Sequence, residues 1–384
     1  MPGSELIGKE ERDAVIEVFL QGAQLSRRPG SRVAKFETAV AERFGALYGH
    51  AVTSGTAALL TALKAMGVGP GDEVITQSHT FVATVEAIIE AGAVPVITEI
   101  DRTLNMDPED LESRITDRTK AIIPVHMLGV AAKMDRILSI ARETGIRILE
   151  DNAQGAGGTF QGGHLGTLGH AGILSFDFGK LVTTGEGGMV ITDDREIYLR
   201  AREYADHGHE QNPNFPRGED TRRMGGFNFK MMELQAAIGL VQLGKLNFAL
   251  RRLRENKRRL KEGIRDIPGL EFREVPNPEG ETCDTLVFFL DDPKTALEFA
   301  GALKERGIST KNLPDAVRWH FAATWDHMLP HYDLYRGKDL GTLWPVSNSL
   351  IGRAIALPIT ILMTDAEIEQ KIGSIHAVAR SHLG

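Results

Sequence analysis

The chain has 384 residues, 42% of them apolar and 25% charged, which is long enough for two domains and typical of an ordinary soluble protein. Its 44 basic and 52 acidic residues give a net charge of −8, which argues against nucleic acid or an anionic membrane as the main partner. The single cysteine, Cys283, excludes an internal disulfide framework, and without a visible signal peptide or membrane-length apolar segment the expected location is the cytoplasm.

Up to residue 192 the apolar spacing alternates between the periods of helix and strand. Helices are predicted at residues 9–21, 32–44, 57–66, 80–91 and 134–144, and one more is opened by Asp107-Pro108. Strands are predicted at residues 50–53, 73–77, 94–100, 121–126, 147–150, 173–178 and 189–192. This succession predicts an α/β fold with a mostly parallel central sheet covered by helices, whose functional sites lie at the carboxyl ends of strands.

After residue 192 the pattern changes to a helix, a long polar loop and then a long amphipathic helix. These occupy residues 196–206, 207–220 and 230–263, followed by strands at 285–290 and 354–357 and helices at 294–305 and 365–382. Basic residues on the long helix alternate with acids, which predicts a solvated face rather than a nucleic-acid surface. We therefore predict a large domain at residues 1–245 and a smaller C-terminal α/β domain at residues 246–384.

Lys180 lies in a glycine-rich turn between the β-prone runs at 173–178 and 189–192. Small residues around it let a planar ligand approach the backbone, and partial desolvation lowers the pKa of a lysine and makes its amine a nucleophile toward an aldehyde. A loop lysine on its own is more often a solvated surface group, so the interpretation depends on earlier segments of the chain.

Three earlier segments carry groups that suit a single ligand. Ser54-Gly55-Thr56 opens a helix, where free N–H groups and hydroxyls form an anion site, although Ser and Thr are also ordinary helix caps. Phe81 offers an aromatic face at a helix start, or else belongs to the core. Asp151 directly follows a strand, where it either stabilises a loop or holds a proton on a heteroaromatic nitrogen.

A phosphorylated pyridine aldehyde requires all four features together. Its phosphate must be anchored, its ring stacked, its nitrogen kept protonated and its aldehyde held by an amine. The chain therefore predicts pyridoxal 5′-phosphate as cofactor. A metal site is not expected, because His207 and His209 have no clearly spaced third ligand.

Six motifs extend this interpretation to a family: SGTAAL at 54–59, HTFVAT at 79–84, EDNAQ at 150–154, SFDFGK at 175–180, TTGEGGM at 183–189 and GFNFKMMELQAAIG at 226–239. Through them nearly the whole chain resembles the DegT/DnrJ-type sugar aminotransferases, which are fold-type I pyridoxal phosphate enzymes. Two departures are visible. Phe178 stands where the family usually has proline, and Lys230-Met231-Met232-Glu233 replaces the usual Arg-Met-Thr/Ser-Glu.

The resemblance implies a role for each motif residue. Lys180 would condense with the cofactor aldehyde and transfer the proton, and Asp151 would contact the pyridine nitrogen. Lysine rather than histidine at position 180 argues against the dehydrating branch of the family. The other implied cofactor contacts are Gln154 near the ring hydroxyl, Phe81 on the ring, Gly55, Thr56, Ala57 and Ser175 at the phosphate, and Asn228 at the phosphate of a neighbouring subunit. The active sites would then be shared within a homodimer.

The segments at 175–178, 207–223 and 311–328 resemble aminotransferases that make 8-amino-3,8-dideoxy-octulosonate, an amino sugar acid. The last two are rich in basic residues, which would bind the carboxylates of glutamate and a keto-sugar acid, or else are scattered surface groups. The candidate substrate residues are His207, His209, Arg217, Arg222, Arg223, Lys311, Arg318 and His320.

The sequence thus predicts a pyridoxal phosphate-dependent aminotransferase that moves an amino group from an amino acid, expected to be glutamate, to a keto-sugar. One candidate acceptor is 8-keto-3,8-dideoxy-octulosonate, for cell-surface polysaccharide such as lipopolysaccharide. Alternatives are a nucleotide-linked 3- or 4-keto-6-deoxysugar as acceptor, a dehydratase or epimerase on the same fold, and a non-catalytic nucleotide-binding module.

Overall fold

A seven-stranded sheet organises the first half of the chain in the computed structural model, which describes residues 2–22, 25, 27–212, 214–216 and 218–383. The strands of this half are β1 Tyr48–Val52, β2 Glu73–Gln77, β3 Val94–Thr98, β4 Thr119–Ile123, β5 Arg147–Asp151, β6 Thr159–Phe160, β7 Gly163–His164, β8 Ala171–Ser175 and β9 Gly188–Thr192. Strands β6 and β7 form a separate hairpin, and the other seven form the sheet in the order β1-β9-β8-β5-β4-β2-β3.

The sheet is mostly parallel, as predicted. Pairing is parallel from β8 through β5, β4 and β2 to β3, whereas β9 is antiparallel to both of its neighbours, β1 and β8. Six strands therefore point the same way, and their carboxyl ends lie along one edge of the sheet.

The helices of the described chain have the following bounds: α1 Lys9–Leu20, α2 Arg32–Phe44, α3 Gly55–Ala65, α4 Val82–Glu90, α5 Pro108–Ser113, α6 Met134–Thr144, α7 Arg195–Tyr204, α8 Glu233–Ile264, α9 Pro293–Glu305, α10 Val317–His320, α11 Pro345–Arg353 and α12 Asp365–His382. Short 3₁₀ helices occupy Gly3–Leu6, Met127–Gly129, Pro278–Gly280, Ala322–Thr324, Leu329–His331 and Leu340–Thr342. Within the described residues, no helix combines the length and apolar composition that crossing a bilayer requires.

Alternate residues of the strands are buried beneath helices on opposite faces of the sheet. Leu149 packs in a core cluster with residues of α3, α4 and α7, whereas its neighbour Ile148 packs in a cluster with residues of α5 and α6. Helices α2 and α8 cover Leu174 and Met189. Burial on both faces explains why the strands are almost continuously apolar.

The C-terminal part of the chain forms a second, smaller sheet. Its antiparallel strands are β10 Glu271–Phe272, β11 Thr285–Phe289 and β12 Ala354–Pro358, which share a core with α8, α9 and α12. Helix α8 continues without interruption past residues 245 and 246, so the proposed domain boundary lies inside a helix. The segment that holds the buried Trp325 and Trp344 packs against Val82 and Ile97 of the first half.

The largest local difference from the predicted elements is at the end of β8. The strand ends at Ser175 rather than at Phe178, whose side chain is exposed. The chain turns here because Thr184 N–H donates to the carbonyl of Phe176. The sequence patterns did not predict α10 and α11, which are short and begin in segments without clear periodicity.

Candidate active site

Lys180 lies where the chain turns between β8 and β9, at the carboxyl edge of the sheet. Its own N–H donates to the carbonyl of Asp177 (2.9 Å), and its carbonyl accepts from Gly3 N–H (3.1 Å). The side chain is half-buried, and within the described part of the chain its amine has no hydrogen-bond partner. The backbone thus fixes the lysine while leaving the amine free to react.

The surroundings of Lys180 shift its amine toward the neutral form. Burial lowers the pKa of Lys180 and is the largest influence; Lys311 lowers this pKa further, whereas Asp177, Asp151 and Asp284 raise it. The lowered pKa increases the fraction of neutral amine, which is the form that attacks an aldehyde.

Asp151, the last residue of β5, is buried. Its Oδ2 accepts from the Thr84 hydroxyl (2.7 Å), and its Oδ1 accepts from Ala153 N–H (3.1 Å). Burial raises the pKa of Asp151, and the two hydrogen bonds, Lys180 and His126 only partly oppose this rise. Burial therefore favours the neutral acid in the empty site, and a protonated ring nitrogen placed against Asp151 would favour its carboxylate by charge attraction.

The residues on either side of Asp151 point to the opposite face of the sheet. The buried Glu150 pairs with His126 Nε2 (2.9 Å), and Asn152 Nδ2 donates to the Leu165 carbonyl (2.6 Å). Ala132 N–H donates to His126 Nδ1, which assigns the proton to Nε2. Glu150 also accepts three backbone N–H groups, those of Gly166 (2.8 Å), Leu168 (2.6 Å) and Gly169 (2.7 Å). These contacts fix the strand end and so position Asp151.

The start of α3 and the end of β8 together form an anion site. Ser54 Oγ caps the helix by accepting from Ala57 N–H (3.0 Å), which occupies one of the implied phosphate donors. Among the described residues, the N–H groups of Gly55 and Thr56 have no partner. A Cβ on Gly55 would lie 2.8 Å from Ser175 Cβ and 3.0 Å from its Oγ, so the hydroxyl and the helix start are adjacent. This arrangement suits a phosphate.

Phe81 is 40% exposed at the first turn of α4, so it does not belong to the core. Its ring lies 6.3 Å from that of Trp319, nearly parallel to it, and 5.5 Å from that of His320. Gln154 is half-buried and its Oε1 accepts from Leu128 N–H (3.0 Å), which orients the amide. Asn228 is exposed, next to Asp206 in an isolated β-bridge.

The structure brings two of the candidate substrate residues close to Lys180. Lys311 Nζ lies 2.5 Å from Asp284 Oδ2, and both act electrostatically on Lys180. His320 is buried, with Nδ1 2.9 Å from the Ala316 carbonyl. Burial lowers the pKa of His320, and Lys180 and Lys311 lower it further. Neutral His320 is therefore favoured near neutral pH.

The other candidates have no contact with Lys180 within the described residues. His209 pairs with Asp220 (3.1 Å) and Arg223 with Glu196 (3.2 Å), so their charges are already balanced. His207, Arg222 and Arg318 are exposed, and no contact within the described residues joins them to Lys180. Arg217 lies outside the described residues.

Sequence reasoning assigned no role to four residues that shape the site, which are Thr84, His126, Glu150 and Asp284. Thr84 could have been found, since it follows Phe81 by three positions and therefore shares a helix face with it. The other three act through partners from separate elements, which periodicity does not reveal.

The groups at this edge fit a phosphorylated pyridine aldehyde. The N–H groups of Gly55 and Thr56 and the Ser175 hydroxyl suit the phosphate, the exposed ring of Phe81 suits the pyridine face, and the buried acid of Asp151 suits the ring nitrogen. Lys180 provides an amine without a competing partner. A nucleotide-binding module would need the anion site but not this free amine.

Comparison with known proteins agrees with the geometry. Residues 5–376 match the model of the DegT/DnrJ/EryC1/StrS aminotransferase family. The chain is 36% identical to the spore coat polysaccharide biosynthesis protein SpsC of Bacillus subtilis, over 98% of this chain and 96% of that protein. It is 41% identical to GDP-perosamine synthase of Caulobacter vibrioides over 240 residues, 62% of each chain. The solved aminotransferase of Psychrobacter cryohalolentis superposes with a TM-score of 0.86 at 27% identity, covering 98% of both chains.

Proposed function

Because the chain belongs to the DegT/DnrJ/EryC1/StrS aminotransferase family and is a pyridoxal phosphate-dependent sugar aminotransferase, we propose that it moves the amino group of glutamate to a carboxylated keto-sugar. The proposed acceptor is 8-keto-3,8-dideoxy-octulosonate, used for cell-surface polysaccharide. The observation that carries this choice is the exposed side chain of Arg318, which pairs with no carboxylate among the described residues and lies two positions before His320 at the edge of the site. Basic groups at this position favour substrates that carry carboxylates.

Bound pyridoxal phosphate supplies an aldehyde that accepts the amino group and a ring that withdraws electrons from the reacting carbon. Lys180 Nζ takes the proton from the α-carbon of glutamate, because burial keeps part of this amine neutral. In the second half-reaction the same amine delivers a proton to the former carbonyl carbon of the sugar. Asp151 holds the proton on the pyridine nitrogen, which keeps the ring electron-poor.

A second acceptor class is a nucleotide-linked keto-6-deoxysugar. The 41% identity to GDP-perosamine synthase favours it, since the name of that relative refers to a nucleotide-linked amino sugar. The two classes differ in their anion. The sugar acid carries a carboxylate on the sugar itself, whereas the nucleotide carries a diphosphate outside the sugar ring.

The test follows the two half-reactions separately. Holoenzyme mixed with glutamate should convert the cofactor to its amine form, which is read from the absorbance spectrum. It should also release one 2-oxoglutarate per site. The keto-sugar acid should then restore the aldehyde spectrum and yield the amino sugar by mass spectrometry. If only a nucleotide-linked keto-sugar restores the aldehyde spectrum, the acceptor belongs to the second class. If glutamate yields no 2-oxoglutarate, glutamate is not the donor. Lys180→Ala holoenzyme serves as the inactive control.

We also propose a homodimer with shared sites, located in the cytoplasm. Asn228 is exposed beside the long helix, as expected for a residue that reaches into a partner's site. Asn228→Ala and Lys180→Ala should each lose activity. Mixing the two after unfolding and refolding should restore activity, since each hybrid dimer regains one intact site. No recovery in hybrid dimers isolated by two affinity tags would refute the shared site.

A further inference from the structure

Trp319 is exposed beside the active site. The protein has three tryptophans, and Trp325 and Trp344 are 0% and 1% exposed, whereas Trp319 is 60% exposed. An exposed indole offers a large apolar face on which a ligand or partner can pack. Helix α10, which carries Trp319, lies in the segment that follows Lys311.

The backbone on both sides of Trp319 is fixed. The Arg318 carbonyl accepts from Nε1 of the buried Trp325 (2.9 Å). The His320 carbonyl accepts from Thr80 N–H (3.1 Å), and His320 Nδ1 lies 2.9 Å from the Ala316 carbonyl. The exposed indole therefore stands on a rigid base rather than on a loose loop. Rigid support of an exposed aromatic side chain is typical of a binding surface.

This base is joined directly to the cofactor side of the site. Thr80 Oγ1 lies 2.7 Å from Thr84 Oγ1, and Thr84 in turn donates to Asp151. The rings of Phe81 and Trp319 are 6.3 Å apart and inclined by 18°, so they form one nearly continuous stack. Phe81 is the side chain that suits the pyridine face. Trp319 thus lies one aromatic ring further out from the reacting atoms.

A cationic side chain, that of Arg318, stands beside the outer end of this stack. Arg318 directly precedes Trp319 and is exposed, and within the described chain its side chain pairs with no carboxylate. His320 follows Trp319 and interacts electrostatically with Lys180 and Lys311. An aromatic face next to a free guanidinium suits a ligand that has an apolar ring face and a carboxylate.

We propose that Trp319 is the surface on which the ring of the acceptor sugar acid packs, with the sugar carboxylate against Arg318. This inference rests on the proposed function, because it assigns the acceptor of that reaction to a subsite. In 8-keto-3,8-dideoxy-octulosonate the reacting carbon, C8, is at the opposite end of the chain from the carboxylate. The ring and the acid group therefore lie away from Lys180 when C8 is placed at the reacting position. Glutamate is too short to need this subsite.

The three tryptophans make the proposal measurable by fluorescence. Acrylamide should quench holoenzyme emission mainly through Trp319, because the other two indoles are buried. The component that disappears in Trp319→Phe defines the Trp319 signal. Saturating 3-deoxy-octulosonate, which has the ring and the acid but no C8 carbonyl, should lower the quenching constant of this component at least about twofold. GDP at the same concentration should leave it unchanged.

Kinetics give a second readout. Trp319→Ala should raise the KM for the keto-sugar acid by roughly tenfold with a much smaller change in kcat, whereas the KM for glutamate should not change. Trp319→Phe should recover most of this loss because it keeps a flat apolar face. Phe248→Ala is the matched control, since Phe248 is an exposed aromatic side chain on α8, 42% accessible.

Three results would overturn the proposal. One is full acrylamide access to Trp319 in the presence of the saturating sugar acid. Another is protection before any sugar is added, which would mean that a second subunit covers the indole. The last is protection by GDP alone. Failure of the proposed function is distinguishable, because then no keto-sugar acid restores the aldehyde spectrum even in the unaltered enzyme.

Discussion

The bond from Thr84 to Asp151 offers the sharpest test of how the protein controls its cofactor. The Thr84 hydroxyl donates to a buried carboxylate oxygen at 2.7 Å. A hydrogen bond to a charged group contributes about 1.5–3 kcal/mol, and 1.4 kcal/mol is a factor of ten in an equilibrium. Thr84→Val keeps the side-chain shape but removes the donor. It should therefore favour protonated Asp151 by about one to two orders of magnitude relative to the unaltered protein.

The expected consequence is a displaced pH profile. Burial already raises the pKa of Asp151, and the Thr84 hydrogen bond opposes this rise, so its loss raises the pKa further. In the proposed mechanism, neutral Asp151 would no longer stabilise the protonated pyridine nitrogen. The rate of the glutamate half-reaction should then fall at neutral pH and recover toward higher pH, where Asp151 ionises. Stopped-flow absorbance of the cofactor, followed from pH 6 to 9, measures this profile.

Thr84→Ser is the matched control, since serine retains the hydroxyl and loses only a methyl group. In Thr84→Ser the rate should therefore fall at the same acidic pH as in the unaltered enzyme; this fall is the acid limb of the profile. If Thr84→Val also leaves that limb in place while remaining folded by circular dichroism, then Thr84 does not set the ionisation of Asp151. Equal displacement in both variants would point instead to a packing defect.

Three further predictions concern groups whose pKa burial shifts. Burial lowers the pKa of Lys180, so the cofactor-free fold disfavours its ammonium form. Lys180→Met should therefore raise the free energy of unfolding in urea by about 1 kcal/mol near pH 7. This gain should shrink above pH ~10.4, where the lysine is neutral in the unfolded chain as well. Burial also lowers the pKa of His79 to about 3, so below pH ~6.5 the unfolded chain binds more protons than the folded protein. From this group alone, the free energy of unfolding should fall by about 1.4 kcal/mol for each unit by which the pH is lowered. His79→Gln should reduce this slope in urea unfolding measured at pH 4.5–6.5. Asp284→Asn should lower the pKa of Lys180, and Lys311→Met should raise it. An amine-reactive reagent should therefore label Lys180 faster in the first variant and more slowly in the second, as measured near pH 8 by peptide mass spectrometry. Changes of the same sign in both variants would contradict the assignment.

The sequence predicted the elements best where local signals coincide. Helix α2 has its predicted bounds, Arg32–Phe44, because the Ser31 hydroxyl caps its start by accepting from Ala34 N–H and Gly45 ends it with φ of 74°. Both signals are single residues that can be read without knowing the fold. The antiparallel direction of β9 carries no such signal, since a strand has the same period in both directions.

The sequence singled out the candidate site residues that carry a signal in their own segment. Asp151 and Lys180 follow apolar runs, which is where an α/β sheet presents functional groups. The contact between Thr84 and Asp151 spans 67 positions, and the pairing of Glu150 with His126 spans 24. Only the strand order brings β4 and β5 together, and apolar periodicity does not specify that order. The isolation of Lys180 from Arg222 and His207 was equally invisible.

The alternation along β5 has a consequence for how this enzyme can change. The side chains of Glu150 and Asp151 point to opposite faces of the sheet. Adding or deleting one residue within β5 would exchange the faces to which these side chains point. Glu150 would then face the proposed cofactor site, and Asp151 would face the layer of α5 and α6. Trp319 lies on α10, outside β5, and is free of this constraint. If Trp319 packs on the acceptor as proposed, new sugar preferences can arise by exchanging residues of this outer segment, whereas the number of residues in β5 must stay as it is.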